Sequence, residues 1–139
     1  MPTEQRRPFE IELTFEAKTY DVDFAGIVSN IVYFRWLEDL RLKVLDEYLP
    51  LDGLLEQGIS PVLVRTEIDY KRAVRLFDKP IGRMWMSYTG RRKFVLTAEF
   101  TVDGEVVTTA EHVCVFVNLK NWRTIPLPEK LALPPAKES

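Results

Sequence analysis

One segment of this chain carries a long helical repeat, and the rest of the sequence has to be arranged around it. Across residues 30–48, NIVYFRWLEDLRLKVLDEY, the residues Ile31, Phe34, Leu37, Leu40, Val44 and Leu45 recur at helical spacing, and Tyr33 and Trp36 widen the apolar arc. A helix apolar over so much of its circumference must be largely buried. Ser29 and Asn30 stand before it as N-cap candidates, and Glu38 with Arg41 and Asp39 with Lys43 give charge pairs on the polar stripe. Pro50 and Gly53 stop it.

The material to bury that helix is supplied by strands. In FEIELTFEAKT the residues Phe9, Ile11, Leu13, Phe15 and Ala17 share one side of a period-two pattern, which predicts a half-buried strand. LPLDGLLEQGISP reads as a loop with one helical turn at residues 54–57. Val64, Thr66, Ile68 and Tyr70 alternate with charged residues, Met84, Met86 and Tyr88 mark a further strand, and two long strands flank Asp103-Gly104, a dipeptide favoured in tight hairpins. Strand, buried helix, then a meander of strands is the order of an α+β domain whose antiparallel sheet packs on the helix. Both faces of the strand around Val113, Val115, Val117 and Leu119 are apolar, because Ala110, Cys114 and Phe116 occupy the alternate positions, so a symmetric dimer is the minimum expected assembly. The proline-rich end, IPLPEKLALPPAKES, is expected to be partly extended and to fray from about residue 131.

A length of 139 residues with 46% hydrophobic and 29% charged content fits one globular domain, residues 1–139. A net charge of -2 with interspersed signs provides no basic field for nucleic acid. The first ten residues, MPTEQRRPFE, lack the apolar core of a signal peptide, and no apolar run approaches the ~18 residues that span a bilayer, so the expected location is cytoplasmic. Cys114 is the one cysteine and His112 the one histidine, which excludes an internal disulfide and the usual zinc spacings. Both are expected to be packed core residues. GxSxG, HExxH, P-loop and GxGxxG motifs are all absent.

What remains is YDVDFAGIVSN, where Asp21 and Asp23 precede the helix and Gly26 lies between. Free N–H groups at a helix start attract negative charge, so amides near Val28, Ser29 and Asn30 can polarise a carbonyl while a carboxylate attacks it or activates water. The same residues can equally end a strand and cap the helix. Spacing leaves both readings open.

The run YDVDFAGIVSNIVYFRWLED resembles the active-site segment of the 4-hydroxybenzoyl-CoA thioesterase family, D-x-D-x-x-G-h-V-x-x-x-x-Y-x-x-W-h-[DE], through Asp21, Asp23, Gly26, Val28, Tyr33, Trp36 and Glu38. GRRKFV is similar to that family's basic cluster for the phosphates of coenzyme A, at Arg91, Arg92 and Lys93, and WRTIPLPE to its closing segment. The resemblance implies a hotdog fold, with a long central helix wrapped by an antiparallel sheet and subunits that pair to complete the active sites, most simply as a dimer or a tetramer of two dimers. It implies hydrolysis of an acyl-CoA thioester without metal or organic cofactor, with Asp23 as nucleophile or general base and the Asn30 amide as donor to the thioester carbonyl. Gly26 and Val28 would shape the substrate-binding turn, and Arg91, Arg92, Lys93 and Arg123 would hold the phosphates at the mouth of the site. Asn30 departs from the family's founding aromatic-substrate member, which has tyrosine there. An acyl-thioester-binding module without catalysis, or a hydratase or dehydratase relying on His112, are the other activities such a fold supports.

Overall fold

The computed structural model describes residues 7–131, so the first six residues and the expected frayed tail beyond Leu131 lie outside the described residues. Strand β1 (Ile11–Thr14) is followed by a one-turn 3-10 helix (Thr19–Asp21), the long helix α1 (Asn30–Tyr48) and the short helix α2 (Leu51–Glu56). Then come β2 (Ile59–Tyr70), β3 (Ile81–Thr89), β4 (Lys93–Val102), β5 (Glu105–Asn118) and the two-residue β6 (Thr124–Ile125). The sheet order is β1-β3-β4-β5-β2 with every pairing antiparallel, and β6 takes over beside β5 at Phe116 and Val117, where β4 has ended.

Alternation along the strands puts Met84 and Met86 of β3, Phe94, Leu96, Ala98 and Phe100 of β4, and Ala110, His112, Cys114 and Phe116 of β5 on one buried face. Helix α1 lies on that face through Val32, Tyr33, Trp36, Leu37, Leu40, Val44 and Leu45. Burying a side chain of this size is worth about 2 kcal/mol, far more than an exposed helical ion pair such as Lys43–Glu47, 3.0 Å apart, contributes. Packing therefore sets the helix's orientation. Asp39 forms no ion pair with Lys43, whose partner is Glu47, while Glu38 and Arg41 pair as expected.

Two of the expected helix core residues lie elsewhere. Ile31 is 68% and Phe34 48% exposed. At about 100° per residue Ile31 points some 200° away from Tyr33, so the two cannot share a wall. Ile31, Phe34 and the exposed Leu42 form a second apolar stripe away from the sheet.

Strand β1 is shorter than its apolar alternation suggests, although backbone bonds from Phe15 to Pro80 and from Ala17 to Asp78 continue its path. The helical turn expected at residues 54–57 is the earlier α2. In β2 a bulge leaves Val64 unpaired and 56% exposed, and Leu63, paired with Cys114, takes the inward place. A second irregularity between Met86 and Tyr88 turns Tyr88 out of the row formed by Met84 and Met86. Asp103 (φ 52°) and Gly104 (φ 81°) form the tight hairpin their sequence predicts. Leu131, expected at the start of the frayed segment, is buried and closes a 3-10 turn, Glu129–Leu131.

Helix and sheet meet most closely at Gly82. A Cβ there would stand 2.8 Å from Phe15, 3.0 Å from Phe100 and 3.1 Å from Leu40 side-chain atoms. Gly82→Ala is therefore expected to force those side chains apart and destabilise the protein by about 1–3 kcal/mol, read as a lower urea midpoint at unchanged m-value.

Candidate active site

The segment between the 3-10 turn and α1 folds back on itself. Val22 and Val28 form an antiparallel bridge, the Asp23 N–H donates to the Ile27 carbonyl at 3.0 Å, and the Gly26 N–H returns to the Asp23 carbonyl at 3.0 Å. Gly26 has φ 75°, a left-handed conformation that a residue with a Cβ adopts only under strain. The turn is stitched to the chain before β3 through an Ile27–Arg75 bridge and a bond from the Leu76 N–H to the Gly26 carbonyl.

The two aspartates separate sharply in this frame. Asp21 is 4% exposed; its Oδ2 accepts the Lys18 N–H at 3.0 Å and its Oδ1 lies 3.9 Å from the Arg35 guanidinium. Asp23 is exposed, and the N–H groups of Ala25 (2.9 Å) and Ile27 (3.4 Å) both bond to its Oδ1. That fixes the carboxylate's direction and leaves Oδ2 without a hydrogen bond among the described residues. Neither aspartate caps α1. Ser29 is the N-cap by position, makes no side-chain cap bond, and the helix's first turn holds no acid.

Of the three amides expected to polarise a carbonyl, two are already engaged. The Val28 N–H bonds to the Val74 carbonyl at 2.8 Å, with the Val28 side chain 3% exposed in the core, and the Ser29 N–H bonds to the Asp21 carbonyl at 2.9 Å. Asn30 remains. It is exposed at the first position of α1, and its N–H has no acceptor among the described residues, as befits an orphan donor of a helix start. Asp21 thus holds the chain at the start of α1 through its backbone carbonyl, while the Asp23 carboxylate and the Asn30 amide stand at the two ends of one small hairpin.

The apolar side chains around this hairpin face solvent. Phe24 is fully exposed, and Tyr20, Ile31, Phe34 and Phe77 are 48–74% exposed. Five exposed large apolar side chains around one hairpin make this a candidate interaction surface. Sequence reading missed it by placing Ile31 and Phe34 in the core, although their position on a helical wheel already separates them from Tyr33. Beside the hairpin a cleft of about 450 Å³ is lined by Asp21, Arg35, Trp36, Lys18, Asp39 and Lys79 among others; its charges of both signs make it a poor anion trap. At the far end of α1 a small, partly open apolar cavity of about 20 Å³, between Tyr48, Met86 and Phe116, has room for about one water and none for an acyl chain.

Arg91, Arg92, Lys93 and Arg123 come together, but far from Asp23. The turn at 91–93 follows β3 and the Asp23 hairpin is stitched to the segment preceding it, so the length of β3, about 26 Å at 3.3 Å per residue, separates them within one protomer. The basic residues do not lie at the mouth of the same protomer's hairpin.

His112 and Cys114 are both buried on the inner face of β5, as expected, so a hydratase mechanism through His112 lacks an accessible imidazole. Burial drives the His112 pKa down to about 4, the nearby Arg41 guanidinium adds to the effect, and Glu38 opposes it. Burial likewise pushes the Cys114 thiol up to about 11, which makes it a poor nucleophile.

One long helix wrapped by an antiparallel sheet defines the hotdog fold. Residues 17–133 match the family model described as the thioesterase-like superfamily, and the chain belongs to that superfamily. A gentisyl-coenzyme A thioesterase structure is similar with a TM-score of 0.78 and 24% identity, over 87% of this chain and 98% of that one. The DHNA-CoA thioesterase of Staphylococcus aureus is similar with a TM-score of 0.77 and 21% identity, over 85% of this chain and 80% of that one. A protein of Aquifex aeolicus (strain VF5), provisionally named an esterase, is 24% identical over 113 residues, 81% of this chain and 87% of its own length. Among the described residues no helix is long and apolar enough to cross a membrane.

The depressed His112 pKa sets a pH dependence. Below pH 6.5 the unfolded chain protonates its histidine while the folded chain does not until about pH 4, so stability is complete above 6.5 and falls toward pH 4. The loss is expected to reach about 3 kcal/mol, at roughly 1.4 kcal/mol per pH unit. Denaturation of the wild type and His112→Gln between pH 7 and pH 4 checks this, the variant showing the shallower slope.

Proposed function

We propose that this protein hydrolyses acyl-CoA thioesters to a carboxylic acid and free coenzyme A, with Asp23 as the catalytic carboxylate and the Asn30 N–H as the donor to the thioester carbonyl. The observation that carries the reading is the pairing, on one hairpin, of a carboxylate held by two backbone amides through a single oxygen with an open helix-start donor. As nucleophile, Asp23 Oδ2 bonds to the carbonyl carbon, the thiolate of coenzyme A leaves, and water hydrolyses the mixed anhydride. As general base, it takes a proton from water as the water oxygen bonds to the carbonyl carbon, the tetrahedral carbon so formed expels the same thiolate, and the thiolate takes up that proton. In both, negative charge develops on the carbonyl oxygen, where the Asn30 amide and the helix dipole stabilise it.

Superfamily membership supports the reaction class. Aromatic acyl groups head the panel to be assayed, since similar structures include thioesterases of gentisyl- and DHNA-coenzyme A and since Phe24 and Phe34 stand exposed beside the hairpin. Asp23→Asn keeps size and removes charge. It is expected to lower kcat by roughly a hundredfold or more with KM and melting temperature little changed. Asp21→Asn should instead lower stability, because it weakens a buried carboxylate's bond to Lys18 and its contact with Arg35. An Asp23→Asn protein with wild-type kcat would remove Asp23 from the chemistry and favour an acyl-thioester-binding module.

The site requires a second copy. Among the described residues, strand β2 has β5 on one side and no strand on the other, and the outward-pointing backbone groups of such an edge are ones that folded proteins normally cover. Antiparallel pairing of β2 with its own copy about a two-fold axis inverts the partner's sheet. The partner's 91–93 turn then comes to the Asp23 end, beside the exposed apolar side chains, where Arg91, Arg92, Lys93 and Arg123 can hold phosphates that their own protomer's hairpin cannot reach. Light scattering is expected to give a dimer, or a tetramer built from two, at micromolar concentration; a stable monomer would break this arrangement.

A further inference from the structure

The hairpin joining β5 to β6 has a residue that its geometry disfavours. The Trp122 N–H bonds to the Asn118 carbonyl at 2.7 Å, the Asn118 N–H bonds to the Arg123 carbonyl at 2.9 Å, and Trp122 closes the loop with φ 59°. Glycine or asparagine normally fills such a left-handed position, and a bulky side chain there is strained. Two asparagines hold the strain in place: Asn118 Oδ1 accepts the Lys120 N–H at 2.8 Å and Asn121 Oδ1 accepts the Arg123 N–H at 2.9 Å. The indole gains no compensating burial, being 66% exposed.

What surrounds it is cationic and rigidly joined. Arg92 Nη1 donates to the Thr124 carbonyl at 2.9 Å and the Leu127 N–H to the Arg91 carbonyl at 3.0 Å, so the 91–93 turn and the Trp122 loop form one platform. Arg91, Arg92, Lys93, Lys120 and Arg123 are all exposed, and none has a carboxylate within ion-pair distance among the described residues. Arg7, Lys18, Arg35, Arg41, Lys43, Arg65, Arg72 and Arg83 are each paired, and Lys71, Arg75 and Lys79, which are not, lie away from this loop on the chain between β2 and β3. A strained, outward aromatic amid five unneutralised cations fits a ligand that is flat at one point and polyanionic around it.

We propose that Trp122 is the stacking platform for the adenine of a phosphorylated adenosine nucleotide, with the surrounding cations on its phosphates. The inference rests on the acyl-CoA reading, of whose substrate the nucleotide end would dock here. It makes Trp122 a binding residue that discriminates between thioesters with and without that nucleotide.

Adenosine 3′,5′-bisphosphate tests the platform without any reaction. It is expected to quench tryptophan fluorescence in the wild type, because Trp36 is buried and Trp85 lies under the Arg7 guanidinium at 3.6 Å, and to leave Trp122→Phe fluorescence unchanged. By calorimetry Trp122→Ala should bind the bisphosphate roughly tenfold more weakly, while Trp122→Phe, which keeps a ring, should stay within about threefold. Trp122→Gly should lose binding like the alanine variant without lowering the melting temperature, since glycine relieves the left-handed strain; a merely structural tryptophan would do the reverse. In turnover, kcat/KM should fall for an acyl-CoA but not for the same acyl group on N-acetylcysteamine.

Bisphosphate binding that is absent in the wild type, or equal in Trp122→Ala, overturns the proposal. So does a Trp122→Ala protein that dissociates in light scattering, which would make the residue a subunit contact. Trp122-dependent binding in a protein that hydrolyses no acyl-CoA would defeat the catalytic reading and leave this one standing; hydrolysis indifferent to Trp122 would do the opposite.

Discussion

The rest of the structure depends on the contact between the first two turns of α1 and the strip of sheet around Gly82. Phe15 stacks on Trp36 with ring centroids 5.2 Å apart, Phe100 meets both Tyr33 and Trp36 at 5.9 Å, and Tyr70 closes on Tyr33 at 5.2 Å. Aromatic pairs at these distances add about 0.5–1.5 kcal/mol each beyond simple burial and constrain angle as well as distance. Because the cluster grips the helix by its first two turns, the end that is fixed most firmly is the one presenting the Asn30 amide. The donor is thus positioned by core packing a few residues away and needs no cap of its own, which explains how Ser29 can stand at the N-cap without a side-chain bond.

The same packing governs what could be read from the sequence. Helix α1 was legible to its ends because its apolar residues recur over five turns, and the Asp103-Gly104 hairpin because left-handed backbone needs those residue types. The bulge at Val64 and the irregularity before Tyr88 were not, since one extra residue shifts which alternate residues face inward without leaving any compositional mark. At the candidate site, family resemblance singled out Asp23 and Asn30, which lie at the two ends of one hairpin. The division of labour between Asp21 and Asp23 was not legible, because it depends on backbone bonds to Lys18, Ala25 and Ser29 that no spacing rule encodes. The basic residues do lie together, as their joint assignment required. Their remoteness from Asp23 follows from the direction of β3, which sequence proximity to a motif does not reveal. Trp122 was passed over because a lone tryptophan in a polar loop has no periodicity to stand out from.

The distance along β3 between the cationic turns and the Asp23 hairpin has a kinetic corollary. If each site takes its carboxylate from one chain and its phosphate grip from the other, a lone protomer owns both halves and can close neither. Dilution then acts as an inhibitor. Well below the dissociation constant of the dimer, the population of complete sites falls with the square of the protein concentration, so specific activity, which for a self-sufficient enzyme is constant, would fall in proportion to the protein concentration on dilution. Conversely, mixing a chain disabled at Asp23 with one disabled at the cationic turns would regenerate one intact site in each mixed pair, so that two impaired preparations together turn over acyl-CoA faster than either does alone.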